Sequence, residues 1–185
     1  VWENTMLFFI SDNGGPLAQS ADNSPLRGGK HTDYEGGICV PFLICWPMRL
    51  KPGEWSAPVS SLDILPTALA AAGVAMASDL FKGEAESKSR DLFWCSGSDE
   101  GWWAVRSGDW KLVGEKDKLS LVDLSKDVSE ANDLAAKMPE KVTELTKLHD
   151  AWLAEMAKPV KAGEKRYDMA AKADEKPKKK KKKVK

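Results

Sequence analysis

The sequence predicts an α/β sheet with a flanking helix, followed by a small α+β unit of antiparallel strands and one long helix. Three observations predict it. Two short apolar runs, residues 6–10 and 40–46, are separated by a long glycine-rich loop, as buried strands of an α/β sheet would be. A leucine stripe at helical spacing follows the second run. After residue 91 the texture changes to closely spaced strand patterns around a Ser-Gly-Asp turn.

Taken in order, MLFFI runs straight into SDNGG, so the first strand ends at a polar turn. Residues 14–37 are polar and glycine-rich, longer than a plain connector, which points to function. The second strand is closed by Pro47. In SSLDILPTALAAAG, Leu62, Leu65, Leu69 and Ala72 recur at helical spacing. Asp63 can cap that helix, Pro66 then falls in the first turn where its missing N–H is harmless, and Gly73 can end it. Residues 75–91 carry no pattern. WWAVRSGDWKLV reads as two strands, with Trp102, Trp103 and Trp110 packing the sheet and Arg106 pairing with an acid in it; LSLVDL is a third strand. Pro139 opens a helix with Val142, Leu145, Leu148, Trp152 and Met156 on one stripe, His149 beside it in a structural role, and Cys95 reads as a small buried residue. The expected division is 1–95, 96–157 and a disordered lysine-rich tail, 158–185.

Charge and cysteine content narrow the classes. The chain has 185 residues, 42% of them apolar, and 28 basic residues balance 28 acidic ones. Eight of the lysines lie in residues 176–185, which leaves 20 basic residues and all 28 acids before them: an acidic globule with a basic tail. No segment is long and apolar enough to span a membrane. The first residues lack the basic start and small-residue cleavage site of a signal peptide, and the chain opens one short step before a strand without an initiator Met, so a fragment is expected. Three cysteines make no disulfide framework and do not settle the compartment.

Chemistry concentrates at two places. Asp12 and Asn13 offer oxygen donors, which suit hard cations such as Ca²⁺ or Mg²⁺, at the carboxyl end of a strand, where ligands gather in α/β sheets. Asp, Asn and Gly are also what turns are made of, and on the dipeptide alone the turn is the stronger reading. Lys30 follows two glycines. If its loop packs over the strand end, it brings a compact positive charge to the same place, and a cation with an ammonium can hold a tetrahedral oxyanion. Its neighbour His31 titrates near neutral pH, although a lone loop histidine more often faces water.

Together these segments resemble the sulfatase family of the alkaline-phosphatase-like superfamily, in its C-terminal portion. FFISDNGG is similar to the family's S-D-N-G strand end, and PLRGGKHTDYEGGICVPF to its G-K-x-x-x-x-E-G-G-x-x-V-P segment. FLICWPMRLKPG, SSLDILPTALAAAG, WWAVRSGDWKLV and LSLVDLSKDVSEANDLA follow in the family's order, so the resemblance covers residues 2–157. It implies that Asp12 and Asn13 ligate a divalent cation, usually calcium, that Lys30 contacts the substrate sulfate, with the adjoining His31 a second candidate there, and that the substrate is a sulfated small molecule or glycan. It implies a periplasmic, secreted or lysosome-like setting. It also implies that the formylglycine nucleophile and the rest of the metal site lie upstream, so that this chain alone is inactive. Cys45–Arg49 spell C-x-P-x-R, the short pattern around the cysteine that sulfatases oxidise to formylglycine, but they end a strand, no helical pattern follows, and the resemblance places them at the family's W-P turn. Where the family has Arg in G-G-I-R-V-P this chain has Cys39, and a D-G-x-x-L-x-P-x-L stretch is missing before RDLFW.

Two other readings stay open. One is a phosphodiesterase or phosphonate hydrolase of the same superfamily, which would differ in the upstream nucleophile. The other is a non-catalytic binding module whose polybasic tail holds anionic surfaces by counterion release. No aromatic residues are interleaved with the lysines, so no specific nucleic acid is expected.

Overall fold

The computed structural model describes residues 1–74, 90–95 and 101–156. Val1–Ala154 cluster as one compact unit. The unpatterned segment 75–89 and the lysine-rich tail lie outside the described residues.

In the first half, β1 (Leu7–Ile10) and β2 (Phe42–Cys45) pair antiparallel, from Leu7 opposite Cys45 to Ile10 opposite Phe42. Phe8 meets Phe42 edge to face on one side, with ring centres 6.3 Å apart. On the other side Leu7, Phe9 and Leu43 stand 49%, 63% and 56% exposed. The expectation of strands buried on both faces therefore fails: among the described residues this ladder has two strands, and no layer covers that side.

Helix α1 (Glu35–Ile38) is one turn at the end of the long loop. Helix α2 (Ile64–Ala71) follows a 3₁₀ turn at Ser61–Asp63. Its cap differs from the expected one. Ser60 Oγ accepts the Leu62 N–H at 3.3 Å and Asp63 Oδ2 accepts the Ser60 N–H at 2.7 Å, so Asp63 is the acid that reaches back in a capping box. Gly73, at φ +88°, ends the helix as expected. Leu62 and Leu65 are 82% and 67% exposed, so the front of the leucine stripe faces outward.

In the second half, β3 (Asp91–Cys95), β4 (Trp102–Ser107), β5 (Trp110–Glu115) and β6 (Lys118–Asp123) form an antiparallel sheet in sequential order. Three of these strands are the expected ones; β3 adds a fourth. Strand alternation gives the sheet two different faces. One face carries Val105, Leu112 and Leu121, which bury Leu145 of helix α3 (Pro139–Glu155), with Val142 and Leu148 beside it. Trp103 sits opposite Gly114, whose bare Cα leaves the room for the indole: a Cβ there would lie 2.2 Å from the ring. His149 stacks on Trp103 at 4.1 Å, and Trp152 stacks on Phe93 at 5.1 Å. Met156 lies past the helix end and Cys95 is exposed, so neither is the buried residue expected. The opposite face carries Ala104 and Val113, and Tyr34 of the long loop packs there against Trp102. That loop is thus the second cover of the sheet.

Candidate metal and oxyanion site

Three glycine pairs hold the site together. They occur in the sequence as DNGG, RGGK and EGGI, and in the fold they stack backbone on backbone. The Gly14 N–H donates to Gly37 O at 2.9 Å, the Lys30 N–H donates to Gly15 O at 3.2 Å, and the Gly36 N–H donates to Arg27 O at 2.7 Å. No side chain fits in this stack: a Cβ on Gly14 would lie 1.7 Å from Gly36 O, and one on Gly37 would lie 2.1 Å from Thr32 O. Asn23 completes it, accepting the Gly15 N–H at 2.9 Å and donating to Gly15 O and Gly28 O. The turn after β1 and the loop carrying Lys30 are therefore in direct backbone contact.

The side chains at this junction are open. Asp12 is exposed, and its carboxylate has no partner among the described residues. Asn13 donates from Nδ2 to Gly14 O at 3.3 Å, which leaves its Oδ1 to accept. Two adjacent oxygen donors fit a hard cation but fall well short of the roughly six to eight ligands that calcium takes. Among the described residues no group of three or more His, Cys, Asp and Glu gathers to complete the shell. Lys30 and His31 are exposed and line a hollow of about 300 Å³ with Pro16, Leu17, Ala18 and Gln19. His31 adopts φ +78°, a left-handed conformation uncommon outside glycine, which turns the chain at the mouth of this hollow. Asp12 and Asn13 stand outside that lining, across the Gly15–Lys30 contact.

Cys45 does not present itself as a nucleophile. It ends β2 half-buried beside buried Trp46, and the chain then turns, with Arg49 N–H bonded to Trp46 O at 2.9 Å and the Arg49 guanidinium over the Trp46 ring. No helix begins within residues 46–60 to expose the thiol.

Sequence reasoning missed the anchor beneath the loop. Lys111 of β5 is fully buried on the loop-covered face. Its Nζ lies 2.7 Å from Glu35 Oε1 and 3.0 Å from Glu130 Oε1, the latter an ion pair rather than an aligned hydrogen bond. Glu130 Oε2 accepts the Glu35 N–H at 2.6 Å, and Glu130 O accepts from Arg27 Nη1 at 3.0 Å. Burial pushes the Glu130 carboxyl up from its ordinary range, against the pull of Lys111. Arg106 lies 3.9 Å from Glu35, so its acid comes from the loop and not, as expected, from the sheet. The only signal in the sequence was an acid in the run KDVSEAND, which on a surface loop would face water.

Oxygen donors at a strand end thus lie on a turn in backbone contact with the lysine loop, ahead of a four-stranded sheet with a covering helix. The comparisons point to one family. Residues 1–74 match the sulfatase family model. The chain is 37% identical to human arylsulfatase A over 124 residues, covering 59% of this chain and 24% of that protein. It is 28% identical over 186 residues to the N-acetylgalactosamine-6-O-sulfatase of Bacteroides thetaiotaomicron, covering 79% of this chain and 36% of that protein. Among solved structures, that of Ps i-CgsB in complex with k-i-k-neocarrahexaose superposes with a TM-score of 0.76 at 27% identity, over 94% of this chain and 42% of that one. The chain is a partial sulfatase region. It spans 22% to 36% of the length of the first curated relatives it matches.

Proposed function

We propose that this chain supplies one wall of a sulfuric ester hydrolase centre. Asp12 and Asn13 give two ligands to a divalent cation, calcium or magnesium, and Lys30 contacts a sulfate oxygen, with His31 beside it. The observation that supports the reading is the backbone contact between Gly15 and Lys30, because it joins the two segments that carry these residues. A cation held by Asp12 and Asn13 would supply positive charge to offset that on the sulfate oxygens, and the Lys30 ammonium offers up to three N–H donors for the same purpose. The substrate class is a sulfated small molecule or glycan, a reading supported by the sulfated sugars in the relatives' names. The attacking group, a hydrated formylglycine, comes from residues outside this chain, since the C-x-P-x-R at Cys45 lacks the exposed setting a nucleophile needs.

Two measurements test this. The purified 185-residue chain is expected to turn over an aryl sulfate no faster than its Lys30→Ala variant; faster turnover would place the attacking group within these residues. In an NMR titration with millimolar calcium, the amides around Asp12 should shift in the wild type and stay still in Asp12→Ala. A response that survives the substitution would sink the metal assignment.

A further inference from the structure

We propose that Glu130, held in place by Lys111, is the positioning residue of the Lys30 loop. The inference rests on the reading of Lys30 as the sulfate contact and extends it to what fixes that lysine in space. The loop is closed at its base by the Gly36 N–H to Arg27 O bond, and Lys30 and His31 sit between these stems. Both stems end on one residue. Arg27 donates its guanidinium to the Glu130 carbonyl, and Glu35 donates its N–H to the Glu130 carboxylate. Arg27 also lies 3.9 Å over the Tyr34 ring, which packs on the sheet through Trp102. Glu130 itself is fully buried at φ +52°, so its own backbone is held in one uncommon conformation.

Charge accounting separates this role from general stabilisation. A buried ion pair is a poor source of stability, because desolvation offsets most of the attraction, but it does select one arrangement of its partners. Lys111 faces two buried carboxylates, Glu35 and Glu130. Removing the Glu130 carboxylate leaves Lys111 paired with Glu35, so the sheet keeps a neutral buried pair. The loop loses the acceptor of its Glu35 N–H, while the Glu35–Lys111 pair and the Arg27 bond to the Glu130 carbonyl remain. The substitution therefore loosens the loop at that tie and leaves the sheet intact.

Hydrogen exchange on the full chain tests this with wild type, Glu130→Ala and Glu130→Gln. In Glu130→Ala the amides of Lys30, Glu35 and Gly36 should lose protection by about tenfold or more, the equivalent of one anchoring hydrogen bond. The amides of Leu112, Val113 and Leu121 should keep theirs. Glu130→Gln, which retains an acceptor for the Glu35 N–H and is the milder change, should fall between. Equal loss in loop and sheet would make Glu130 a general stabiliser and overturn the proposal, as would no loss in the loop. The response of the Lys30 signals to inorganic sulfate, measured in the same samples, should weaken in Glu130→Ala. If Lys30→Ala leaves the sulfate response of the surrounding amides unchanged, the functional reading fails, whereas the exchange pattern still decides the positioning role.

Discussion

The glycine stack can be tested by a single methyl group. In Gly14→Ala the new Cβ would lie 1.7 Å from Gly36 O, a backbone atom that cannot rotate away. An ordinary contact would need the two strands of the stack to part by about 1.5 Å, and overpacking of this kind costs roughly 1–3 kcal/mol. The same movement stretches the Gly14 N–H to Gly37 O bond, now 2.9 Å. Losing that bond adds about 1 kcal/mol. The total of about 2–4 kcal/mol corresponds to a fall in Tm of about 5–15 °C for a unit of this size. Gly53→Ala is the control, because nothing lies within 4 Å of a Cβ at that position. Thermal unfolding followed by circular dichroism reads both. A Gly14→Ala melt within about 1 °C of wild type, where a surface change belongs, would refute the close-packed stack.

Three further expectations can be checked together. Lys30→Ala should leave Tm nearly unchanged, within about 0.5 kcal/mol, because the side chain is exposed and touches no partner among the described residues, yet it should abolish the sulfate response. Because burial raises the Glu130 carboxyl, the folded state binds that proton more tightly than the unfolded state, and this contribution to stability falls as pH rises from about 4.5 through the folded value. Urea melts at pH 7 and pH 5 should therefore show wild type gaining on Glu130→Gln with acidification; a relative loss would reverse the argument. Below pH 3.8 the sign turns. There Asp127, lowered first by its Ser129 hydroxyl and then by the Asn132 N–H, starts to release stability as it protonates. Finally, Cys45 should remain a thiol when the chain is co-expressed with formylglycine-forming machinery, and peptide mass spectrometry would expose an aldehyde if it forms.

The parts of the site legible in the sequence were those whose chemistry is local. Asp12, Asn13 and Lys30 suit the proposed roles by residue type alone, and the glycine pairs beside them stand where the structure brings backbones together. Helix α3 showed itself through the stripe around Leu145, and β4 and β5 through the Ser-Gly-Asp turn between them. What stayed hidden depends on distant partners. Lys111 in WKLV looks like the polar face of an exposed strand, until the loop from the first half covers it. Glu130 looks solvated for the same reason. Strand β3 is followed by a Ser-Gly-Ser-Asp turn signal, but the unpatterned segment before it hides where it starts. The apolar run at Leu7–Ile10 was read as a strand buried on both faces, but composition cannot say whether a covering layer is present, and Phe9 is exposed.

The anchoring of the Lys30 loop also sets an order of events in folding. Glu35 and Glu130 are 95 positions apart, and Arg27 and Glu130 are 103 apart. Contacts at such separations form slowly, because the intervening chain must be closed into a loop before they reward it. During synthesis the segment from Asp12 to Glu35 has no anchor until Glu130, 95 positions beyond Glu35, has followed it out. Lys30 is thus expected to be made well before its loop is put in place.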